Sequence, residues 1–289
     1  MDLVENRIGE VELRNEIELD AEDITSLIYH DIFDYPLTMG EITKWKSGKR
    51  YLEGEPEVKF NKGFYFLSGK EGIILKRMLR ERVSARKMQL ARKAGQILRF
   101  IPTLKMVGIT GALAMDNASE ESDIDLLLVT KRGTLWTTRL ITIFLLSVFG
   151  IKRRKYGETQ EKDKLCLNVW LDENSLVWDK KDRNIYTAHE ICQIKPLFDR
   201  ENTFEKFLFA NKWAGAYWPN AVRIRKVKSK SSNVSGVLSL IEPLARAFQF
   251  WYMRGKITRE VVTKEKAIFH PTDWGKVISL RLNKWNITP

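Results

Sequence analysis

The sequence has few of the residues that build disulfide frameworks and zinc sites. It holds two cysteines, Cys166 and Cys192, and three histidines in 289 residues. The cysteines stand far apart, each beside apolar residues, and the histidines are scattered without a partner at ligand spacing. This pattern excludes a cysteine-rich secreted scaffold, and two reduced thiols in a core lead us to expect a cytoplasmic protein.

Long apolar runs are also scarce. The longest one, residues 140–151, is twelve residues long, against the roughly twenty that a helix needs to cross a bilayer. The N-terminus is acidic and lacks the basic and apolar regions of a signal peptide. We therefore expect no membrane span, and residues 1–20 are assigned only as an acidic lead-in.

Acidic charge is in the minority everywhere except in that lead-in. The formal net charge is +12, yet the first 23 residues hold nine acidic residues against Arg7 and Arg14. Removing their net charge of −7 leaves +19 on residues 24–289. This positive charge favours phosphate-bearing partners such as nucleotides, nucleic acid or an anionic membrane surface. Many basic proteins, however, only carry solvated lysine faces.

Residues 21–68 have the patterns of a small winged-helix-like module. Apolar spacing predicts a helix over 21–34, and Thr38 with Glu41 forms a capping box that predicts a second helix to about residue 46. Strand-like residues on either side of Asn61-Lys62-Gly63 predict a hairpin with a three-residue loop. The basic residues near the capped helix are Lys44, Lys46, Lys49 and Arg50. Such a module can dock in a DNA groove or serve only protein packing.

Residues 69–100 predict one long, basic connecting helix. Its expected apolar stripe consists of Leu75, Leu79, Val83, Leu90, Ala94 and Ile97. Residues 70–105 contain eleven Lys or Arg and two Glu, a local charge of +9. This charge fits a surface that tracks phosphates and fits a merely solvated helix face equally well.

The alternating strand and helix patterns of residues 101–222 predict an α/β domain. Its core is expected to be of the α+β kind, with helices packed on a mixed sheet. Strands are expected at 105–109, 122–130 and 165–171, with a nearly all-apolar helix at 135–149 buried against the sheet. Residues 223–289 predict a linker and a C-terminal helical region. The aromatic segment 248–252 is interpreted as part of a core helix in preference to a membrane-surface helix.

The residues with the clearest chemistry are two aspartates that follow a glycine turn. Gly108-Ile109-Thr110-Gly111-Ala112 is followed, ten residues later, by Asp123-Ile124-Asp125. Because side chains alternate along a strand, both aspartates should project from one face. Paired carboxylates can share Mg²⁺, which clamps a triphosphate for in-line attack, and a glycine turn before a helix lets phosphate approach the backbone.

This combination resembles the DNA polymerase β-type nucleotidyltransferase superfamily, whose motif is Gly-Ser, a short interval, then Asp-x-Asp or Asp-x-Glu. The similarity covers about residues 105–172, and the flanking segments look like those of uncharacterised bacterial proteins with this domain. The resemblance implies that Gly111 and Ala112 bind the triphosphate of an NTP. It also implies that Asp123 and Asp125 bind Mg²⁺ or Mn²⁺.

Two departures from the family pattern affect this prediction. Ala112 replaces the usual serine, which removes a hydroxyl donor but keeps the backbone amides. The resemblance also implies a third carboxylate on a later strand. Alternation puts Cys166, Asn168, Trp170 and Asp172 on one face of the strand at 165–171. Asn168 stands at the expected position but cannot accept a proton, and Asp172 is the other candidate.

The resemblance therefore implies a Mg²⁺-dependent enzyme that transfers a nucleotidyl group to an acceptor hydroxyl on a protein, a small molecule or a nucleic acid end. The alternative hypothesis is a degenerate nucleotidyltransferase fold that regulates by binding nucleic acid, through basic residues of 44–50 and 70–105. A third hypothesis is an antitoxin-like protein whose helical C-terminal part binds another chain.

Overall fold

The computed structural model describes residues 19–48, 56–227, 236–255, 261–269 and 274–285. Most of the acidic lead-in, Lys49, Arg50 and most of the linker lie outside them. The helices are α1 (Ala21–Asp31), α2 (Met39–Lys44), α3 (Ile73–Leu98), α4 (Gly111–Ala114), α5 (Leu135–Val148), α6 (Ile185–Cys192), α7 (Thr203–Ala210), α8 (Gly236–Met253) and α9 (Trp274–Leu282). The strands are β1 (Val58–Asn61), β2 (Phe64–Leu67), β3 (Leu104–Ile109), β4 (Ile124–Thr130), β5 (Leu165–Asp172), β6 (Lys195–Asp199), β7 (Val261–Val262) and β8 (Lys266–Ile268).

A six-stranded mixed sheet forms the centre of the fold, in the order β6-β3-β4-β5-β8-β7. Strands β4 and β5 are parallel and are joined through α5, while every other pairing is antiparallel. This arrangement confirms the expected mixed α+β fold. It also places β4, which starts beside the two aspartates, in the interior of the sheet.

The two faces of the sheet are covered by different helices. On one face Leu127, Val129 and Val169 share a core with α1, α6 and α7. On the other face Ile124, Leu126 and Trp170 pack with α3, α5 and α8. The molecule therefore has three layers, and Asp125, between Ile124 and Leu126 on β4, lies on the first face.

The N-terminal helices and hairpin occur where the sequence predicts them. The capping box is formed, because the Glu41 amide donates to Thr38 Oγ1 at 3.3 Å and the Thr38 amide donates to Glu41 Oε2 at 2.9 Å. The predicted three-residue hairpin loop is wrong: Asn61 pairs with Phe64, so the loop is Lys62-Gly63, both with positive φ. The core of this unit is continuous with the sheet's first face.

The expected apolar stripe of α3 is wrong in its N-terminal half. Leu75 and Leu79 are 64% and 52% exposed. The side of α3 that faces the protein instead carries Ile74, Arg77, Ser84, Lys87, Ala91, Ala94 and Leu98. Apolar spacing does not find this face because two of its inward residues are cations, each held by partners from other elements.

Helix α5 is also less buried than its composition suggests. Leu135 and Trp136 are fully buried, but Phe144 and Val148 are 69% and 62% exposed. Only the first half of the helix is therefore covered on all sides. Among the described residues, no helix has the length and apolarity needed to cross a membrane.

Candidate functional site

The structure brings Asp123 and Asp125 together at the start of β4. A carboxylate oxygen of each aspartate and Sγ of Cys166 all lie within 4.8 Å of one another. Asp123 stands just before the strand and Asp125 is its second residue. Cys166 comes from the parallel strand β5, where it pairs with Asp125. Three potential metal ligands thus converge from two neighbouring strands.

The turn at Gly111 lies directly against this group. Gly111 has φ of +61°, and a Cβ added there would come within 2.5 Å of Asp125 Oδ2. Both the left-handed backbone and the close approach therefore require glycine. Ala112 follows on the exposed side of the turn, and its carbonyl accepts from the Asn117 amide at 2.9 Å.

A register shift in β5 decides which side chains reach the aspartates. Asp125 pairs with Cys166 but Leu127 pairs with Val169, so β5 has one extra residue in this interval. Such an extra residue breaks the alternation of side chains. The prediction that Trp170 shares the face of Cys166 is wrong, because Trp170 is buried among the helices of the opposite face.

Asn168 is beside the aspartates, as its position in the sequence suggested. Its Nδ2 donates to Asp125 Oδ1 at 2.7 Å. Its own Oδ1 is buried and has no hydrogen-bond partner among the described residues. A buried amide oxygen without a donor is a site where a cation or a proton donor would be favourable.

Asp172 is not brought to this group. It pairs with Thr130 at the far end of β4, whereas Cys166 pairs with Asp125 at the near end. Its carboxylate accepts from the backbone amides of Gly133 at 2.6 Å and Asn174 at 2.8 Å. The geometry gives Asp172 a role in holding the turn before α5, away from Asp123 and Asp125.

Glu190 on α6 is the carboxylate that the sequence analysis missed. It accepts a hydrogen bond from Gln193 Nε2 at 2.6 Å. Burial raises its pKa and the backbone amide of Gly111 acts to lower it, so the Glu190 side chain lies near the Gly111 turn. Its charge also acts on Asp125. The alternation of side chains along strands does not indicate Glu190, because it lies on a helix sixty-five residues beyond Asp125 in the sequence.

Arg154 is a second residue that was not predicted. Its Nη1 donates to Asp123 Oδ2 at 3.1 Å, and its Nη2 forms an ion pair with Glu161. It belongs to the basic run Lys152-Arg153-Arg154-Lys155, which has no distinguishing motif. Arg154 therefore supplies the positive charge that neutralises part of the group.

Burial is the main cause that raises the pKa values of Asp125, Glu190 and Cys166. Burial, then the charge of Asp123, then that of Glu190 raise the pKa of Asp125 to about 8. Burial raises the pKa of Glu190 to about 7. Burial and the nearby carboxylates also raise the pKa of the Cys166 thiol far above its usual value. A bound cation would reverse these shifts, since it favours the charged forms.

The donor set fits a hard divalent cation. The carboxylates of Asp123 and Asp125 and the free Oδ1 of Asn168 are oxygen donors of the kind that Mg²⁺ and Mn²⁺ prefer. Cys166 is a soft donor, which Mg²⁺ and Mn²⁺ bind less readily than oxygen. These residues would therefore hold Mg²⁺ or Mn²⁺ through oxygen, with the thiol beside the ion.

Helix α3 holds the loop that leads into Asp123. The fully buried Lys87 donates through Nζ to the carbonyls of Glu120 at 3.1 Å and Ser122 at 2.7 Å, and to Asp163 Oδ1 at 2.7 Å. Ser84 Oγ accepts from the Ala118 amide at 3.0 Å. These bonds fix the backbone up to the residue before Asp123.

Most basic residues of 70–105 form ion pairs or hydrogen bonds with other residues of the protein. Of the eleven basic residues in 70–105, six form salt bridges: Lys70, Lys76, Arg77, Arg86, Lys87 and Lys105. Arg80 donates to Asn117 Oδ1. Ion pairs within the described residues are not seen for Arg82, Arg92, Lys93 and Arg99. Lys46, near α2, pairs with Asp20 and Asp23. Four exposed basic residues of 70–105, Arg82, Arg92, Lys93 and Arg99, thus remain outside these ion pairs.

A cavity of about 730 Å³ adjoins the site on the first face of the sheet. Thr110, the residue before Gly111, lines it together with Glu190 and Tyr186. Apolar side chains such as Trp178 form much of the remaining wall, and the three lysines of the lining are matched by three carboxylates, those of Asp179, Asp182 and Glu190. This volume and lining are typical of small-molecule sites.

Comparison with protein-family models and with curated proteins gives no match for this chain.

Proposed function

We propose that this protein is a Mg²⁺- or Mn²⁺-dependent nucleotidyltransferase that transfers NMP from an NTP to an acceptor hydroxyl. One observation carries the proposal: the oxygens of Asp123 and Asp125 converge within 4.8 Å directly beside the left-handed turn at Gly111. Metal-binding carboxylates next to a turn with approachable backbone amides form a site for a metal-bound triphosphate.

In this proposal the acceptor oxygen bonds to the α-phosphorus while the bond to the bridging oxygen of the β-phosphate breaks. Pyrophosphate leaves, and the proton of the hydroxyl passes to a carboxylate. The metal would neutralise charge on the phosphates. Glu190 is the candidate acceptor of the proton, because it lines the cavity and lies against the same turn.

The cavity beside Thr110 and Glu190 is the proposed site for the nucleoside or the acceptor. Its aromatic wall residue Trp178 offers a stacking surface. The Gly111 amide acts on Glu190, so a substrate bound at the turn would lie beside the proposed proton acceptor.

The test is incubation of the protein with Mn²⁺ or Mg²⁺ and each α-labelled NTP, alongside host lysate. We expect wild type to label an acceptor and Asp123→Asn/Asp125→Asn to lose at least about a hundredfold of that rate, the scale of a lost metal ion. Asp172→Asn is the matched control, because this carboxylate lies at the other end of β4 and β5. Equal loss in both variants would contradict the proposed site.

A nucleic-acid-binding regulator with a degenerate site is the second candidate. It is favoured by the ion pair of Asp123 with Arg154, because a cation of the protein already contacts one of the two proposed metal ligands. Labelling by neither protein, with salt-dependent nucleic-acid binding that Asp125→Asn does not change, would select this function.

A further inference from the structure

The outward face of α8 is apolar, and its inward face carries the polar Glu242 and Gln249 beside the apolar Ala245 and Met253. Five residues define what we call the α8 apolar face: Leu240, Leu244, Phe248, Trp251 and Tyr252, which are 76%, 72%, 56%, 73% and 60% exposed. At 100° per residue they fall within one third of the helix circumference. Residues 248–252 thus belong to a helix that packs on the core, as expected, but only Gln249 and Phe250 face that core, whereas Phe248, Trp251 and Tyr252 are exposed.

The polar residues of α8 explain why this orientation is fixed. Glu242 is buried and accepts from the amides of Trp136 and Thr137 at the start of α5, both at 2.8 Å. Gln249 is also buried, and its Nε2 donates to the Trp136 carbonyl at 2.8 Å. Rotating α8 to bury its aromatic residues would leave these polar groups unsatisfied.

Helix α5 extends the apolar surface toward a basic segment. Packed on α8, it ends in the exposed side chains of Phe144, Val148 and Phe149. The run Lys152-Arg153-Arg154-Lys155 follows directly. Arg139 of α5 donates through Nη1 to Gln249 Oε1 of α8 at 2.6 Å. Burial and then the charge of Arg153 lower the pKa of Arg139, so the basic run begins close to the contact between α5 and α8.

We propose that the α8 apolar face and the adjoining basic segment bind the surface of an anionic lipid bilayer. The tryptophan, tyrosine and phenylalanine side chains suit the boundary between headgroups and acyl chains, and cations beside them attract anionic headgroups. The charge of α8 supports this partner, since its one acidic residue among 240–255, Glu242, is buried, while Arg254 is exposed.

A second copy of the chain is a less suitable occupant of this face. A two-fold contact would bring the same surface from both copies together and so oppose their arginines and lysines. A bilayer with anionic headgroups offers the opposite charge, and it needs no matching shape. The bilayer thus satisfies both the apolar and the basic parts of the surface.

The test is co-sedimentation of the full chain with phosphatidylcholine vesicles, with and without phosphatidylserine. Wild type should bind the vesicles that contain phosphatidylserine. Leu244→Ser/Trp251→Ser should lower the partition coefficient by at least about tenfold, because two apolar anchors are lost. Lys152→Gln/Arg153→Gln should lower it by roughly tenfold or more in low salt. Arg154 is left unchanged because it binds Asp123.

Leu75→Ser/Leu79→Ser on α3 is the matched control, since it removes two leucines that are just as exposed but lie elsewhere. It should leave vesicle binding unchanged. Failure of wild type to bind either vesicle would overturn the proposal. A second result would also overturn it: wild type is a dimer in light scattering, Leu244→Ser/Trp251→Ser is a monomer, and neither protein binds vesicles. A second copy of the chain would then cover the α8 apolar face. Thermal unfolding of each variant checks that it is folded.

Discussion

Helices α3 and α8 pack on the same face of the sheet, yet they place their unusual side chains in opposite directions. Helix α3 turns the cations Arg77 and Lys87 inward, while α8 turns Phe248 and Trp251 outward. In both cases polar side chains lie on the inward side because hydrogen-bond partners from other elements lie there. Neither helix can be oriented from hydrophobicity alone.

The largest expected effect comes from removing the buried cation of α3. Lys87→Met would remove the donor of two backbone carbonyls and leave Asp163 with only its longer contact to Arg86, at a cost of roughly 3 kcal/mol in the free energy of unfolding. It should also weaken Mn²⁺ binding, because the loop before Asp123 loses its anchor. Urea unfolding and Mn²⁺ titration measure the two effects.

Lys93→Met is the control for this prediction. Lys93 is exposed on the same helix, so its substitution should change the free energy of unfolding by no more than about 0.5 kcal/mol. Equal effects of the two substitutions would show that α3 does not depend on its inward cation.

The second prediction concerns the ion pair of Arg77 with Glu41. Burial alone would raise the pKa of Glu41, but hydrogen bonds and charge from Arg77 outweigh burial and hold it at about 2, against 4.5 for an ordinary glutamate. The stabilisation is complete above pH 4.5 and is lost as the pH falls toward 2. The difference corresponds to about 3 kcal/mol.

Urea unfolding between pH 7 and pH 2 tests this dependence in wild type and Glu41→Gln. The variant should be less stable at pH 7, and the two proteins should converge as the pH approaches 2. If the difference in the free energy of unfolding between the two proteins were the same at every pH, the Arg77–Glu41 pair would not govern the acid sensitivity of this end of α3.

Local patterns predicted the elements, and long-range contacts decided the site. Thr38 and Glu41 are close in sequence, so their capping box could be predicted, as could the strands of apolar runs. The side of the sheet on which Trp170 lies could not be predicted, because the extra residue in β5 is visible only in the pairing of β5 with β4. Glu190 could not be predicted either, since only the packing of α6 brings it to Gly111.

The smallest expected effect sharpens the contrast on α8 itself. Glu242→Ala should lower the free energy of unfolding by about 1–2 kcal/mol, because two amides at the start of α5 lose their acceptor. Leu244→Ala, two residues along the helix but on the exposed face, should change it by no more than about 0.5 kcal/mol. Urea unfolding of both variants without lipid measures this. A larger loss from Leu244→Ala would mean that the apolar face is already covered within the protein, which would also remove the basis for its binding to a bilayer.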